Sequence, residues 1–219
     1  MRCTFLLLLS ALSLTPLFGQ NIVQDFPELL KTIDHPTMKS GNYGVSKQFK
    51  DKHNGVSHSY GFQTYNGIEI EGANFGTHAQ GGKVVAFNNS FLPESLTKTD
   101  LTHSTDKDAV LNKFLSKYKD EFKNQVQSSN AQWTKVDENE FELVDASLSP
   151  EKIIIKKTYI HSRDGFVPSW SLSFLLPSQS HWYYTVFNAA TNQVVTQYDY
   201  VNECKFDHDH SAHAFSGVP

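Results

Sequence analysis

The chain has 219 residues, 39% of them hydrophobic and 13% aromatic, which is enough for a real core and excludes a disordered polymer. Its formal charge of −4 arises from 19 Lys and Arg scattered among 23 Asp and Glu with no basic stripe, so nucleic acid and other polyanions are poor partners. The length accommodates one large domain or two small ones.

The N-terminus predicts export. Arg2 precedes an apolar run over residues 5–9 that continues to Phe18, and the small Gly19 before Gln20 offers a peptidase site, so residues 1–19 read as a cleavable signal peptide. Ser10, Ser13 and Pro16 interrupt the run, which falls short of the roughly twenty apolar residues of a membrane span. Cys3 has no apolar stretch before it, which disfavours lipid attachment. Signal removal leaves Cys204 as the only cysteine, so an intramolecular disulfide is excluded. Cys204 is an inert thiol, a thiol with a partner on another polypeptide, or a zinc-directed thiolate.

Residues 25–31 predict a short helix with Asp25 at the cap and Pro27 in the first turn. Residues 40–59, rich in Gly, Ser, Asn and Lys, read as loop plus one weak edge strand. A two-residue alternation follows, with Phe62, Thr64, Ile68 and Ile70 set against Gln63, Tyr65, Glu69 and Glu71. It is broken at Asn66-Gly67, a pair suited to the positive φ angles of a type I′ hairpin. Gly81-Gly82 separates residues 75–79 from the β-branched run 83–87, so three or four antiparallel strands are expected here.

The ordered set Phe62-Gln63-Thr64-Tyr65-Asn66-Gly67-Ile68, Glu71-Gly72-Ala73, Gly82-Lys83-Val84-Val85 and Ser90-Phe91-Leu92-Pro93 resembles the fungalysin/thermolysin propeptide (FTP) module of secreted zinc metallopeptidases. The resemblance covers about thirty residues.

Thr105 with Asp108 three residues later predicts a helix start, and Val110, Leu111, Phe114, Leu115, Tyr118 and Phe122 paint one apolar stripe that should cover a sheet. The polar face with Lys113, Lys117, Asp120 and Lys123 reads as solvated surface. After a polar stretch over 124–139, strands are expected at 141–144, 153–160, 168–176, 181–187 and 194–198. The segment from Trp170 through Trp182-Tyr183-Tyr184 to Val194-Val195 resembles a PepSY-like module. Where that family has Asp-Ala and Thr-Gly, this chain has Asn188-Ala189 and Thr191-Asn192, a mild departure because Asn tolerates left-handed backbone. Trp170, Trp182 and Tyr183 read as core aromatics.

Zinc peptidase chemistry of this class needs His-Glu-x-x-His, two imidazoles one helical turn apart with a glutamate to activate water. None of the ten histidines is followed by glutamate, and Gly-x-Ser-x-Gly and phosphate-binding glycine loops are also missing. No catalytic or cofactor-binding residue is assigned, and the chain is read as a non-enzyme. The metal-ligand candidates are Cys204, His208, His210 and His213, which with Asp207 and Asp209 lie in a ten-residue run; a linker is the simpler reading.

The expected fold is α+β, with antiparallel sheets packed against one or two helices in two propeptide-type modules. The expected division is signal peptide 1–19, FTP-like module 20–100, PepSY-like module 101–203 and a His-rich linker 204–219 leading toward a catalytic domain beyond Pro219. The resemblance implies the pro-region of a secreted zinc metallopeptidase, acting as chaperone and inhibitor of its catalytic domain in cis or trans. No cofactor is expected in this chain and zinc in its partner, with no nucleic acid and no membrane span. The alternative is a stand-alone secreted inhibitor or binding module derived from such a propeptide.

Overall fold

The computed structural model describes residues 26–93, 101–122, 132–163 and 165–201. They form two compact units. The first holds the described residues up to Gln63 together with Asn74–Phe91; the second holds Thr64–Ala73 and the described residues from Leu92 onward.

The first unit begins with helices α1 (Phe26–Lys31) and α2 (Pro36–Ser40). Pro36 stands where a missing N–H costs nothing, the His35 side chain accepts from the Thr37 amide, and Gly41 ends the helix at φ 73°. Four antiparallel strands follow: β1 (Tyr43–Lys50), β2 (Ser57–Tyr65), β3 (Ile68–Gln80) and β4 (Lys83–Asn89). β2 and β3 supply residues to both units. Gly81 and Gly82 take φ 57° and 76°, the tight turn expected between β3 and β4. Leu30, Ile33 and Met38 bury against Phe75, with Tyr43, Val84, Phe87 and Phe91 around them.

Glycine and aromatic residues alternate across this sheet for a packing reason. A Cβ at Gly44 would stand 2.4 Å from the Phe62 ring, and one at Gly61 would stand 2.1 Å from the Gly44 carbonyl and 2.6 Å from the Phe75 ring. Each ring covers a neighbouring strand's glycine, which holds the backbones close. Of the two alternating series on β2, the one with Ser59, Gly61 and Gln63 is buried, Gln63 at 1% exposure, and Phe62 lies on the other face. Residues 40–59 also hold more structure than a loop and weak strand, because α2 ends there and β1 runs for eight residues.

The second unit starts at the β2–β3 hairpin tip, where Asn66 and Gly67 take φ 50° and 76°, as the sequence predicts. Helix α3 (Lys107–Lys117) is capped by Asp106, whose side chain accepts from the Ala109 amide. The cap is therefore one residue later than Thr105. The strands are β5 (Thr134–Lys135), β6 (Glu140–Leu143), β7 (Ile153–Ser162), β8 (Gly165–Leu175), β9 (Trp182–Asn188) and β10 (Val194–Asp199). β7 to β10 form an antiparallel meander. The other edge of β7 is divided: residues 153–156 pair antiparallel with β6, and Thr158 and Tyr159 pair parallel with Glu69 and Ile70 of β3.

α3 lays Val110, Leu111, Phe114 and Leu115 on Ile153, Ile155, Trp170, Leu172, Phe174 and Phe187, burying the stripe expected from its spacing. Ile70, Ala73, Tyr159 and Phe166 form a smaller cluster. Asn192 takes φ 54° at the position where the resembled family has glycine, and the Asn188 side chain accepts from the amides of Ala190 and Thr191. Trp170 is buried, but Trp182 is 39% exposed, which corrects its assignment to the core. Its indole N–H donates to Ser173 Oγ at 3.0 Å. Ten strands against three short helices make the described chain mostly β-sheet, so α+β fits only loosely, and the parallel β3–β7 pair makes the sheet mixed.

Candidate functional site

For a chain read as a binding partner, the relevant geometry is what its sheets leave uncovered. β10 pairs only with β9, so among the described residues its outer backbone edge has no strand partner. Four large apolar side chains stand on or just past it: Val194, Val195, Tyr198 and Tyr200, at 40%, 47%, 56% and 60% exposure. An unpaired edge with exposed apolar side chains is a template for an incoming strand. In the first unit, β1 is the corresponding edge, with Val45 and Phe49 exposed, and β4 carries exposed Val85. The sequence reading found β10 as a strand but not as an edge, because edge status depends on strand order. The run Val194-Val195 followed by Tyr198 and Tyr200 carries no mark of an edge, since the same residues suit a covered strand.

Tyr184 of β9 takes part in a half-buried polar pair. Tyr184 Oη donates to Glu71 Oε1 at 2.6 Å. Burial raises the Glu71 carboxyl above its ordinary range, with the tyrosine bond acting in the other direction. Glu69, two residues earlier on β3, is pushed up to about 7, chiefly by burial and then by the Glu71 charge. Tyr184 is raised strongly by burial and by Glu71. In the same unit His103 Nε2 donates to the carbonyls of Thr158 and Ser169 at 3.2 and 3.1 Å, and its burial depresses the imidazole. All four side chains are tied into strand packing, and among the described residues none adjoins a nucleophile with the geometry of a catalytic pair.

The metal candidates Cys204, His208, His210 and His213 lie outside the described residues. Among the described residues no three or more His, Cys, Asp or Glu side chains converge as a metal cluster, and no helix is long and apolar enough to cross a membrane. Two imidazoles do meet: His58 Nδ1 and His78 Nδ1 stand 2.7 Å apart on the first unit's open sheet face.

Residues 41–91 match the Fungalysin/Thermolysin Propeptide Motif. The motif thus runs from the Gly41 cap of α2 through β1, β2, β3 and β4 to Phe91, about twenty residues further upstream than the segment whose sequence resembles it. By its description it is a motif of propeptides. Among solved structures, the chain is similar to the Bacillus megaterium YpeB C-terminal domain at 11% identity and a TM-score of 0.39, over 82% of this chain and 64% of that one. The chain therefore spans less than two thirds of that structure. No curated protein matches the chain significantly.

Proposed function

We propose that this chain is the non-catalytic pro-region of a secreted zinc metallopeptidase of the fungalysin or thermolysin type, and that it assists folding of the catalytic domain and inhibits it until cleaved. The observation that carries this reading is the propeptide motif over residues 41–91, which covers all four strands of the first unit. The segment from β7 to β10, with its PepSY-like resemblance, is the second module of the same pro-region. The signal-like N-terminus supports a location outside the cell for both.

The physical mechanism is linkage. A partner that binds the native catalytic domain and not its unfolded chain stabilises the former by mass action, and a strand added along the β10 edge supplies main-chain hydrogen bonds without catalytic side chains. The reading is tested by adding the purified chain to a fungalysin-type catalytic domain, either active or denatured. The expected result is no peptidase activity from the chain itself, dose-dependent inhibition of the enzyme, and a higher yield of refolded enzyme. Loss of both effects overturns the proposal.

A further inference from the structure

On the open face of the first unit, β1 and β2 place Phe49, His58 and Tyr60 side by side, and His78 of β3 meets them edge-on. Phe49 stacks on His58 at 4.8 Å with the planes 17° apart, while His78 stands at 81° to His58 with centroids 4.8 Å apart. The two Nδ1 atoms converge to 2.7 Å, so their lone pairs share a single proton. Both rings are partly exposed, and neither Nε2 has a hydrogen-bond partner among the described residues.

We propose that His58 and His78 form a two-histidine binding site for a divalent first-row transition metal ion. Two converging lone pairs on an accessible surface are what a chelating pair presents, and the ion displaces the shared proton and stands beside the line between the two nitrogens. That proton moves to the free Nε2 of the same ring, so both imidazoles bind as neutral ligands. At metal–nitrogen bonds of about 2.0–2.1 Å and a tetrahedral angle, the nitrogens stand roughly 3.3 Å apart. The rings therefore need to part by only about half an ångström, a small rotation about exposed side-chain bonds. The stack on Phe49 holds one imidazole in place before the ion arrives, which lowers the ordering cost. Water fills the remaining positions, so the site stays open to a further donor. Imidazole donors select Cu²⁺ over Ni²⁺ and Ni²⁺ over Co²⁺, with no use for Ca²⁺ or Mg²⁺.

The test uses the full chain carrying Cys204→Ser, His208→Asn, His210→Asn and His213→Asn, which removes the competing tail ligands. Titration calorimetry with Ni²⁺ near neutral pH is expected to show uptake of one ion, and adding His58→Asn or His78→Asn to weaken that uptake at least tenfold. Circular dichroism without metal checks that the variants fold. Should either fail to fold, Cu²⁺ added to the tail-substituted chain is read by NMR line broadening, expected to centre on the amides around residues 58 and 78. No Ni²⁺ uptake, undiminished uptake in both histidine variants, or broadening centred elsewhere overturns the site. The inference does not depend on the propeptide reading.

Discussion

Tyr184 and Glu71 are 113 positions apart in sequence, and their side chains meet at 2.6 Å within the second unit, hydroxyl to carboxylate. Both are partly screened from water, so the bond offsets the cost of holding a carboxylate inside a sheet. Tyr184→Phe removes this donor and leaves only Thr158 and the Lys156 charge against the carboxylate's desolvation, at a cost of about 1–3 kcal/mol. Because the Glu71 carboxyl already sits above its ordinary range, acid protonates it and relieves that loss. The variant should therefore be more destabilised at pH 8 than at pH 5. Trp133, Trp170 and Trp182 all lie in this unit, so urea melts followed by tryptophan fluorescence report it directly. An equal loss at both pH values would show that the pair is not charged as described.

Glu69 gives a pH dependence of its own. Its carboxyl is raised from 4.5 to about 7, so between those values the folded chain holds a proton that the unfolded chain has released. Stability from this group is fully present below pH 4.5 and is lost as pH rises through 7. Glu69→Gln keeps the shape without the charge. It should stabilise the second unit by about 1–3 kcal/mol at pH 8, with little effect at pH 4.5. The difference between wild-type and variant melts across pH 4.5 to 8 measures the effect; a flat difference contradicts it.

Two glycines, Gly61 within β2 and Gly67 in the turn after it, are required for different reasons, and the costs of replacing them should separate. Gly67 takes φ 76° with nothing within 4 Å of where a Cβ would stand, so Gly67→Ala costs only the left-handed backbone, about 1–2 kcal/mol. Gly67→Asn should cost less, since asparagine enters that region readily. At Gly61 a Cβ would lie 2.1 Å from the Gly44 carbonyl, an atom that moves only with its strand. Gly61→Ala should cost about 3 kcal/mol and open the β1–β2 pairing. Thermal melts by circular dichroism rank the three variants, and a milder effect at Gly61 than at Gly67 would refute the close-approach account.

What the sequence made legible was local. Asn66-Gly67 and Gly81-Gly82 announced their turns because few other residues accept those φ angles, and the Val110-to-Leu115 stripe announced a helix because its period matches one buried face. Non-local facts were hidden. Alternation around Phe62 and Gln63 cannot say which residue faces the core, since Phe62 is accommodated outside by the missing side chain of Gly44. The parallel contact of Glu69 and Ile70 with Thr158 and Tyr159 joins segments about ninety residues apart and leaves no mark in either. The exposed edge at Val194 to Tyr200 and the His58–His78 meeting also follow from strand order, so no motif could have marked them.

Edge status gives the β10 strand its predicted role in inhibition. Val195 and Tyr198 are exposed on a strand paired on one side only, so a lysine at either position leaves the fold intact while placing charge where an incoming strand must dock. Val144 serves as a control, being 82% exposed and outside every strand. Under the pro-region proposal, Val195→Lys and Tyr198→Lys should each raise the inhibition constant against the catalytic domain at least tenfold, about 1.4 kcal/mol of binding. Val144→Lys should leave it unchanged, and all three should melt within a few degrees of wild type, because exposed substitutions away from packed features shift stability by only about 0.5 kcal/mol. Inhibition assays beside thermal melts separate the two effects. If the β10 variants inhibit as well as wild type while Val45→Lys on β1 does not, docking belongs to the edge of the first unit, where the propeptide motif itself lies.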